Sequence, residues 1–309
     1  MENILVTGAA GFIGSTLVRK LVEKGHKASI VVRKETNLWR LGEAAEKITR
    51  FDADLTDLES IKTVVSKINP TGVFHLAASN IQSGVTAADD EVIRTNVLGI
   101  VNLLKALEGA EYKFFINTGS FLEYRGEERP LKESDVSEPG ELYSITKLAA
   151  TLYGEAIARR AKKPIITFRI FSPYGPGMQK GRLLEALISK ALKNEPIAMT
   201  NKDVTRDFVF VEDIADLYIE AMDKAMENKG EVFNLGTGVI TKLHEVVDLV
   251  IELTNSKSMV AWNSLPSVSY DRALWQADMT KTFSHFDWRP KFTFESGVRK
   301  TIEWYKKNK

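Results

Sequence analysis

Tyr143 and Lys147 stand four residues apart in ELYSITKLAATLYGEAIARR, a run that reads as a helix, so both side chains share one helix face. A phenol with a pKa of about 10 is a poor acid or base at neutral pH, and a nearby ammonium lowers that value by stabilising the phenolate. Such a pair can pass a proton beside a group that takes or gives hydride. Taken alone, the spacing equally describes an exposed helical pair. A second motif near the start of the chain turns it toward chemistry. TGAAGFIGS sets Gly8, Gly11 and Gly14 three apart, between the strand-like NILV and the helix-like FIGSTLVRKLVEKG. Glycines there let the backbone approach a pyrophosphate closely. The helix start, at Phe12 and Ile13, offers N–H groups and a partial positive charge to the anion. In a strand–turn–helix setting this pattern is a dinucleotide-binding fingerprint.

Three further sets of residues fit the same chemistry. FFINTGSF ends a strand with Thr118 and Ser120, and open α/β sheets build their sites at strand C-termini. Ser120 is placed to hydrogen-bond a substrate oxygen and share a proton with Tyr143; the alternative is a hydroxyl that caps a loop. FDADLTD offers Asp54 as an acceptor for an adenine amino group, supported by the Leu55 backbone, or Asp54 and Asp57 as helix caps. SIVVRKETN ends a second strand, where a dinucleotide site that binds NAD carries a carboxylate for the ribose hydroxyls. Here Val32 is followed by Arg33 and Lys34. A guanidinium attracts a 2′-phosphate and binds it bidentately. NADP(H) is therefore favoured and NAD(H) remains possible. The other reading is a solvated basic loop in which Asn37 or Glu35 approaches the ribose.

These residues must be positioned by a sheet. NILV, ASIVV, ITRF, GVFHL, FFIN and PIITF are short apolar runs, and helical patterns separate them. Alternation of this kind predicts an α/β fold, a Rossmann-type doubly wound parallel sheet buried on both faces. The expected division is a cofactor-binding domain over residues 1–170, with elements near 206–235 returning to it, and a smaller C-terminal substrate-binding domain over 171–309. SPYGPG, the helical RLLEALISKALKNE and the closing amphipathic ESGVRKTIEWYKKNK belong to that second part.

Composition narrows the class. A net charge of +1 over 309 residues, with no basic block, argues against nucleic-acid binding. No cysteine is present, which removes disulfides, thiolate metal sites and a cysteine nucleophile. Histidines at 26, 75, 244 and 285 show no metal-ligand spacing. No apolar run approaches the roughly 20 residues of a membrane span, and MENILVTG has no basic leader. A cytoplasmic protein with no membrane partner and no metal is expected.

Glycine loop, FDADLTD, HLAA, strand-end Ser120 and YSITK occur together and in order. This resembles the extended short-chain dehydrogenase/reductase family, most of whose members act on nucleotide-activated sugars, and the likeness covers nearly the whole chain. The resemblance implies catalysis by Ser120, Tyr143 and Lys147. HLAA resembles the segment that runs past the nicotinamide, which adds Ala77 to the cofactor contacts, and the following SNIQSGV implies a sugar pocket that begins at Ser79. Asn96 matches the family's structural asparagine. RIFSPYGPG implies a substrate contact at Ser172, where the family usually has asparagine, and VTRDFVFVEDI implies that Arg206 binds the substrate diphosphate. A family arginine is replaced by Val268, with Asp271 retained and Arg272 as the possible substitute. The resemblance also implies a homodimer through a four-helix bundle that includes the Tyr-Lys helix.

Among the family's reactions, 4,6-dehydration is disfavoured because Phe121 and Leu122 stand where dehydratases carry an Asp-Glu pair, with Glu123 one residue late. A combined epimerase-reductase, which typically needs a cysteine and a histidine, is discounted, since the chain has no cysteine and no histidine between 76 and 243. The expectation is NADPH-dependent reduction of the 4-keto group of a nucleotide-linked deoxyhexose, and local segments are similar to those of bacterial synthases of CDP-linked dideoxyhexoses. The alternatives are an NAD(P)-dependent 4-epimerase and, from a different class, a non-catalytic NADP-binding regulator.

Overall fold

The computed structural model describes residues 2–79, 88–266 and 274–308. The apolar runs form strands β1 (Asn3–Thr7), β2 (Lys27–Val32), β3 (Thr49–Asp52), β4 (Gly72–His75), β5 (Phe114–Ser120) and β6 (Ile165–Ile170). Helices alternate with them: α1 (Phe12–Glu23), α2 (Leu58–Ile68), α3 (Asp89–Ile93), α4 (Gly99–Ala106) and α5 (Leu142–Ala161). A π-helical turn at Arg94–Leu98 joins α3 to α4, and a 3-10 segment spans Trp39–Lys47.

Local chemistry sets these boundaries. Asp57 caps α2 by accepting the Glu59 and Ser60 N–H groups at 3.1 and 3.2 Å, and Asn69, in the left-handed region, ends it. Glu141 and Ser144 form a capping box at the start of α5. Lys162 adopts a left-handed conformation after its last turn, and Pro164 follows shortly after.

The later elements are β7 (Ser172–Tyr174), α6 (Leu183–Ala191), β8 (Ile197–Ala198), β9 (Thr205–Phe210), α7 (Val211–Lys224), β10 (Val232–Leu235), β11 (Ile240–Lys242), α8 (Leu243–Thr254), β12 (Val260–Ala261), α9 (Thr280–His285) and α10 (Phe294–Lys307). The large sheet has seven strands in the order β10-β6-β5-β4-β1-β2-β3. Neighbours from β3 to β5 pair in parallel, with Val6 opposite both Ile30 and Phe74. The chain steps outward from β1 in one direction and then returns to β4 on the other side. This reversal is where doubly wound sheets open a crevice at their strand ends.

The chain divides into two units. The first comprises residues 1–123, 137–169 and 214–233, and the second comprises 124–136, 170–213 and 234–309. In the first, alternate strand residues face opposite layers. Val73 packs with Ile61, Val64, Leu103 and Ala150 of α2, α4 and α5. Phe74 instead stacks on Tyr218, whose ring also stacks on Phe168. Lys20 of α1 pairs with Asp216 on that side. In the second unit, β9 pairs in parallel with β7 and antiparallel with β11. Tyr174, Phe208, Phe210, Phe292 and Phe294 form its aromatic cluster. Buried Asp207 accepts N–H groups from Thr237, Gly238 and Ala277, tying together segments distant in sequence.

Leu103 is fully buried in the layer beneath the sheet. Leu103→Ala is expected to lower stability by about 2–5 kcal/mol. A fall in the urea midpoint with an unchanged denaturant slope checks this.

Candidate active site

The glycine loop follows β1 directly. Gly8 has φ +70, and a Cβ there would stand 2.5 Å from the Ala77 nitrogen. A Cβ on Gly14 would stand 2.2 Å from the Gly8 carbonyl oxygen. The turn closes with a hydrogen bond of 3.0 Å from the Gly11 N–H to the Gly8 oxygen, and α1 starts at Phe12, with Ile13 next. Only glycine fits this close approach of loop, β4 end and helix start. The cradle suits a dinucleotide pyrophosphate, with the first N–H groups of α1 as donors. Ala77, against Gly8, donates its N–H to Thr7 Oγ1 at 3.3 Å.

Asp54 and Leu55 lie at the end of β3. Asp54 Oδ1 accepts the Thr56 N–H at 2.8 Å and the side chain is exposed, while Asp57 makes the helix cap. Leu55 is buried, and its carbonyl accepts from Asn102 at 2.9 Å. At the end of β2, Val32 pairs with Asp52 in register. Asp52 is engaged by Arg50 at 2.8 Å. Arg33 has a side chain 75% exposed and lies 3.6 Å from Glu91. Such an exposed pair is worth little and is readily exchanged for a ligand. Lys34 is exposed, and its carbonyl accepts from Arg50. Arg40 covers the Trp39 ring at 4.4 Å and donates to the Ala10 carbonyl of the glycine loop at 3.5 Å. Arg33 and Lys34 thus stand just past the end of β2, Arg50 of β3 reaches the Lys34 carbonyl, and Arg40 reaches the glycine loop after β1. Arg40 and Arg50 escaped sequence reasoning, because only the fold-back of the 3-10 segment and the β2–β3 register bring them there.

Ser120 closes β5. Its Oγ accepts the Leu122 N–H at 3.2 Å, which leaves the hydroxyl proton for another acceptor. Lys147 is 3% exposed; burial pulls its pKa down to about 8, and the charge of Glu123 opposes that fall. Tyr143 is half-buried one turn earlier. Its surroundings include Tyr218, whose hydroxyl is 2.8 Å from Thr118 Oγ1; burial raises the Tyr218 pKa, the Thr118 hydrogen bond opposes that rise, and Tyr143 adds to it. A short ladder fixes the helix that carries the pair. Thr146 donates to the Tyr143 carbonyl at 2.7 Å and accepts from Asn96 at 2.9 Å. Asn96 also holds both backbone groups of Ser79, accepting its N–H at 2.7 Å and donating to its carbonyl at 3.0 Å. Asn96 lies in the π-helical turn.

The first unit therefore assembles the glycine loop, Asp54, Leu55, Ala77, Ser79, Ser120, Tyr143 and Lys147 around one set of strand ends. Ser172 and Arg206 lie in the second unit. Ser172 is half-buried in β7, opposite Phe208. Arg206 is buried in β9, and its Nη1 donates to the Thr205 carbonyl at 2.8 Å. Asn80 to Val85 of SNIQSGV, together with Val268, Asp271 and Arg272, lie outside the described residues. Among the described residues, no group of three or more His, Asp or Glu could hold a metal ion, and no helix is long and apolar enough to cross a membrane.

Glu123 is the main site residue that sequence reasoning missed. Read only as a misplaced dehydratase acid, it is in fact fully buried and paired with Arg169 at 2.8 Å. A signal was present: one acid in FLEY, just past the strand run FFINTGS, and one base in the apolar IITFRI, the runs FFINTGS and IITFRI becoming neighbours in the sheet.

The model of the NAD dependent epimerase/dehydratase family matches residues 4–236. The dTDP-glucose 4,6-dehydratase of Neisseria gonorrhoeae is 29% identical over 336 residues, covering 100% of this chain and 96% of that protein. Among solved structures, the UDP-glucose 4-epimerase of Thermotoga maritima, determined with UDP-glucose, matches with a TM-score of 0.88 at 27% identity, covering 99% of each chain. MoeE5 in complex with UDP-glucose and NAD matches with a TM-score of 0.86 at 28% identity, again over 99% of each chain.

His75 at the end of β4 supplies a pH prediction. It is fully buried, 2.8 Å from Thr7 Oγ1, and burial first and the Lys147 charge second push its pKa down to about 3. Below its ordinary value of 6.5 the unfolded chain takes up a proton that the folded chain refuses, so stability falls as the pH drops toward 3. In urea unfolding at a series of pH values, His75→Gln is expected to show a shallower acid-side fall than the parent chain, with no such difference above neutrality.

Proposed function

Because the chain belongs to the NAD dependent epimerase/dehydratase family, we propose that it is an NADPH-dependent reductase of the 4-keto group of a nucleotide-linked deoxyhexose. One observation carries the choice within the family. The end of β2 has buried Val32 in place of a ribose-binding carboxylate, and Arg33 and Lys34 follow it, with Arg50 on the Lys34 carbonyl. That arrangement supports a 2′-phosphate, hence NADPH, the cofactor suited to net reduction rather than to a closed oxidation–reduction cycle.

Bound NADPH would supply the hydride. The phenol of Tyr143 gives its proton to the C4 oxygen as that oxygen gains charge. Ser120 Oγ donates a hydrogen bond to the same oxygen, and the Lys147 ammonium stabilises the phenolate that Tyr143 leaves behind. Gly8, Gly11 and the start of α1 bind the pyrophosphate, and Asp54 accepts from the adenine. Among substrate contacts, Arg206 is assigned to the diphosphate. A homodimer through a four-helix bundle that includes α5 is supported by Ile145 and Leu152, two turns apart on α5 and about half exposed at 49% and 51%.

Dehydration has less support, although curated relatives such as the Neisseria enzyme are dehydratases. The positions of the dehydratase pair are Phe121 and Leu122, and both oxygens of Glu123 are engaged in the interior. A 4-epimerase is the second reading, supported by the likeness to the Thermotoga enzyme. A sensor without turnover would not need the Tyr143–Lys147 pair.

Purified protein with NADPH and a panel of CDP-, dTDP-, GDP- and UDP-4-keto sugars should consume NADPH with at least one of them. No consumption, together with interconversion of UDP-sugars without added cofactor, gives the epimerase. Arg33→Asp is expected to weaken NADPH binding by about ten-fold or more while sparing NADH; unchanged NADPH affinity removes the cofactor assignment. Tyr143→Phe should cost about 10²–10⁴ in turnover and leave dinucleotide binding intact. A variant that retains its rate refutes the proton role.

A further inference from the structure

Glu123 lies just past Ser120 in a 3-10 turn, and none of its surface meets solvent. Oε1 accepts the Ser120 N–H at 2.8 Å. Oε2 accepts from Arg169 Nε on β6, also at 2.8 Å. Arg169 is buried too, and its Nη2 donates to Ser137 Oγ at 3.1 Å. Gly119 makes room for this arrangement: a Cβ there would stand 2.8 Å from Glu123 Oε1 and 3.0 Å from Thr167 Cγ2. The carboxylate is thus wedged beneath the strand end that carries Ser120.

A buried ion pair is weak evidence for stability, since well-packed apolar residues often replace one at no loss. The location of this pair matters more. Burying the Lys147 ammonium is costly; the 3-10 turn that carries Glu123 packs against α5, and the buried Glu123 carboxylate favours the charge there. Among the described residues, the charged groups on α3, the π-helical turn and α4, which pack against α5, are Asp89, Asp90, Glu91, Arg94 and Lys105, and all are exposed. His75 on β4 is buried and neutral at pH 7, Arg169 carries the sign of Lys147 itself, and Tyr143 lies one turn away on the same helix.

We propose that Glu123 is a positioning residue that acts through two partners: its carboxylate, held by Arg169, fixes the Ser120 backbone and is the counter-charge for the buried Lys147 ammonium. This inference rests on the assignment of Ser120 and Lys147 to the reaction site, and it holds for a reductase and an epimerase alike. Ionised Lys147 is what stabilises the Tyr143 phenolate. Without Glu123, Lys147 gives up its proton at lower pH, and turnover is lost from the alkaline side.

The test compares the parent chain with Glu123→Gln and with the double substitution Glu123→Leu/Arg169→Met, which removes the pair without leaving Arg169 unpaired. Lysine ¹³Cε resonances in the cofactor-free protein, assigned with Lys147→Arg, report the pH at which Lys147 deprotonates. The expected result is a lower midpoint in the double variant, with circular dichroism and thermal midpoint near those of the parent. The alkaline limb of turnover should move with it, by about ten-fold in rate per pH unit. A folded double variant with an unchanged Lys147 midpoint overturns the proposal. The NMR measurement needs no substrate, so failure of the keto-sugar assays would refute the reductase reading and leave this result standing.

Discussion

An ammonium group that loses its water has to recover the lost solvation from fixed neighbours. Lys147 is such a group, and the residues around it are arranged accordingly. Burial draws its pKa down to about 8, and the negative charge of Glu123 works against that fall. Glu123 in turn needs Arg169 on its other oxygen and a residue without a side chain at Gly119. The same charge on Lys147 helps to keep His75 neutral at the end of β4. Residues on β4, β5, β6 and α5 are therefore linked through one buried cation, and the Ser120 backbone is held as part of the same arrangement.

The sheet makes this possible by bringing segments distant in sequence to a common edge. β1, β4 and β5 are neighbours, so the glycine loop, the HLAA segment and the strand end carrying Ser120 lie side by side. The contact is tight, as the 2.5 Å from a Gly8 Cβ to the Ala77 nitrogen indicates. On the helical side, Asn96 in its π-helical turn ties Ser79 to Thr146 and so sets α5 relative to the end of β4. A π turn shifts the helical register by one residue, which suits a side chain that must reach both neighbours.

Much of this was legible beforehand because it depends on local rules. The six apolar runs became the first six strands, since parallel strands buried on both faces must read as continuous apolar segments. The glycine spacing pointed to the loop because backbone at that approach distance tolerates no Cβ. Tyr143 and Lys147 share a face because of helical geometry alone. The limits are as specific. Asp54 had two sequence readings, a ligand acceptor or a helix cap; in the structure Asp57 takes the cap and Asp54 makes an exposed turn with Thr56. The cluster of basic residues was legible at Arg33 and Lys34, which adjoin the strand. It was not legible at Arg40 and Arg50, whose proximity depends on the return of a 3-10 segment and on strand register.

Sequence by itself determined the class of fold and the residue types available for hydride and proton chemistry, because both follow from short-range spacing and periodicity, and the order of its motifs carried the family resemblance. The electrostatic state of those residues came only with the tertiary structure. Whether Lys147 is solvated or buried, whether Glu123 is an acid aimed at substrate or an interior counter-charge, and whether Arg169 is a surface base or its partner all depend on β5, β6 and α5 meeting. Charge interactions act through space and scale with burial, and neither distance nor burial between residues 123, 147 and 169 is written in their spacing along the chain.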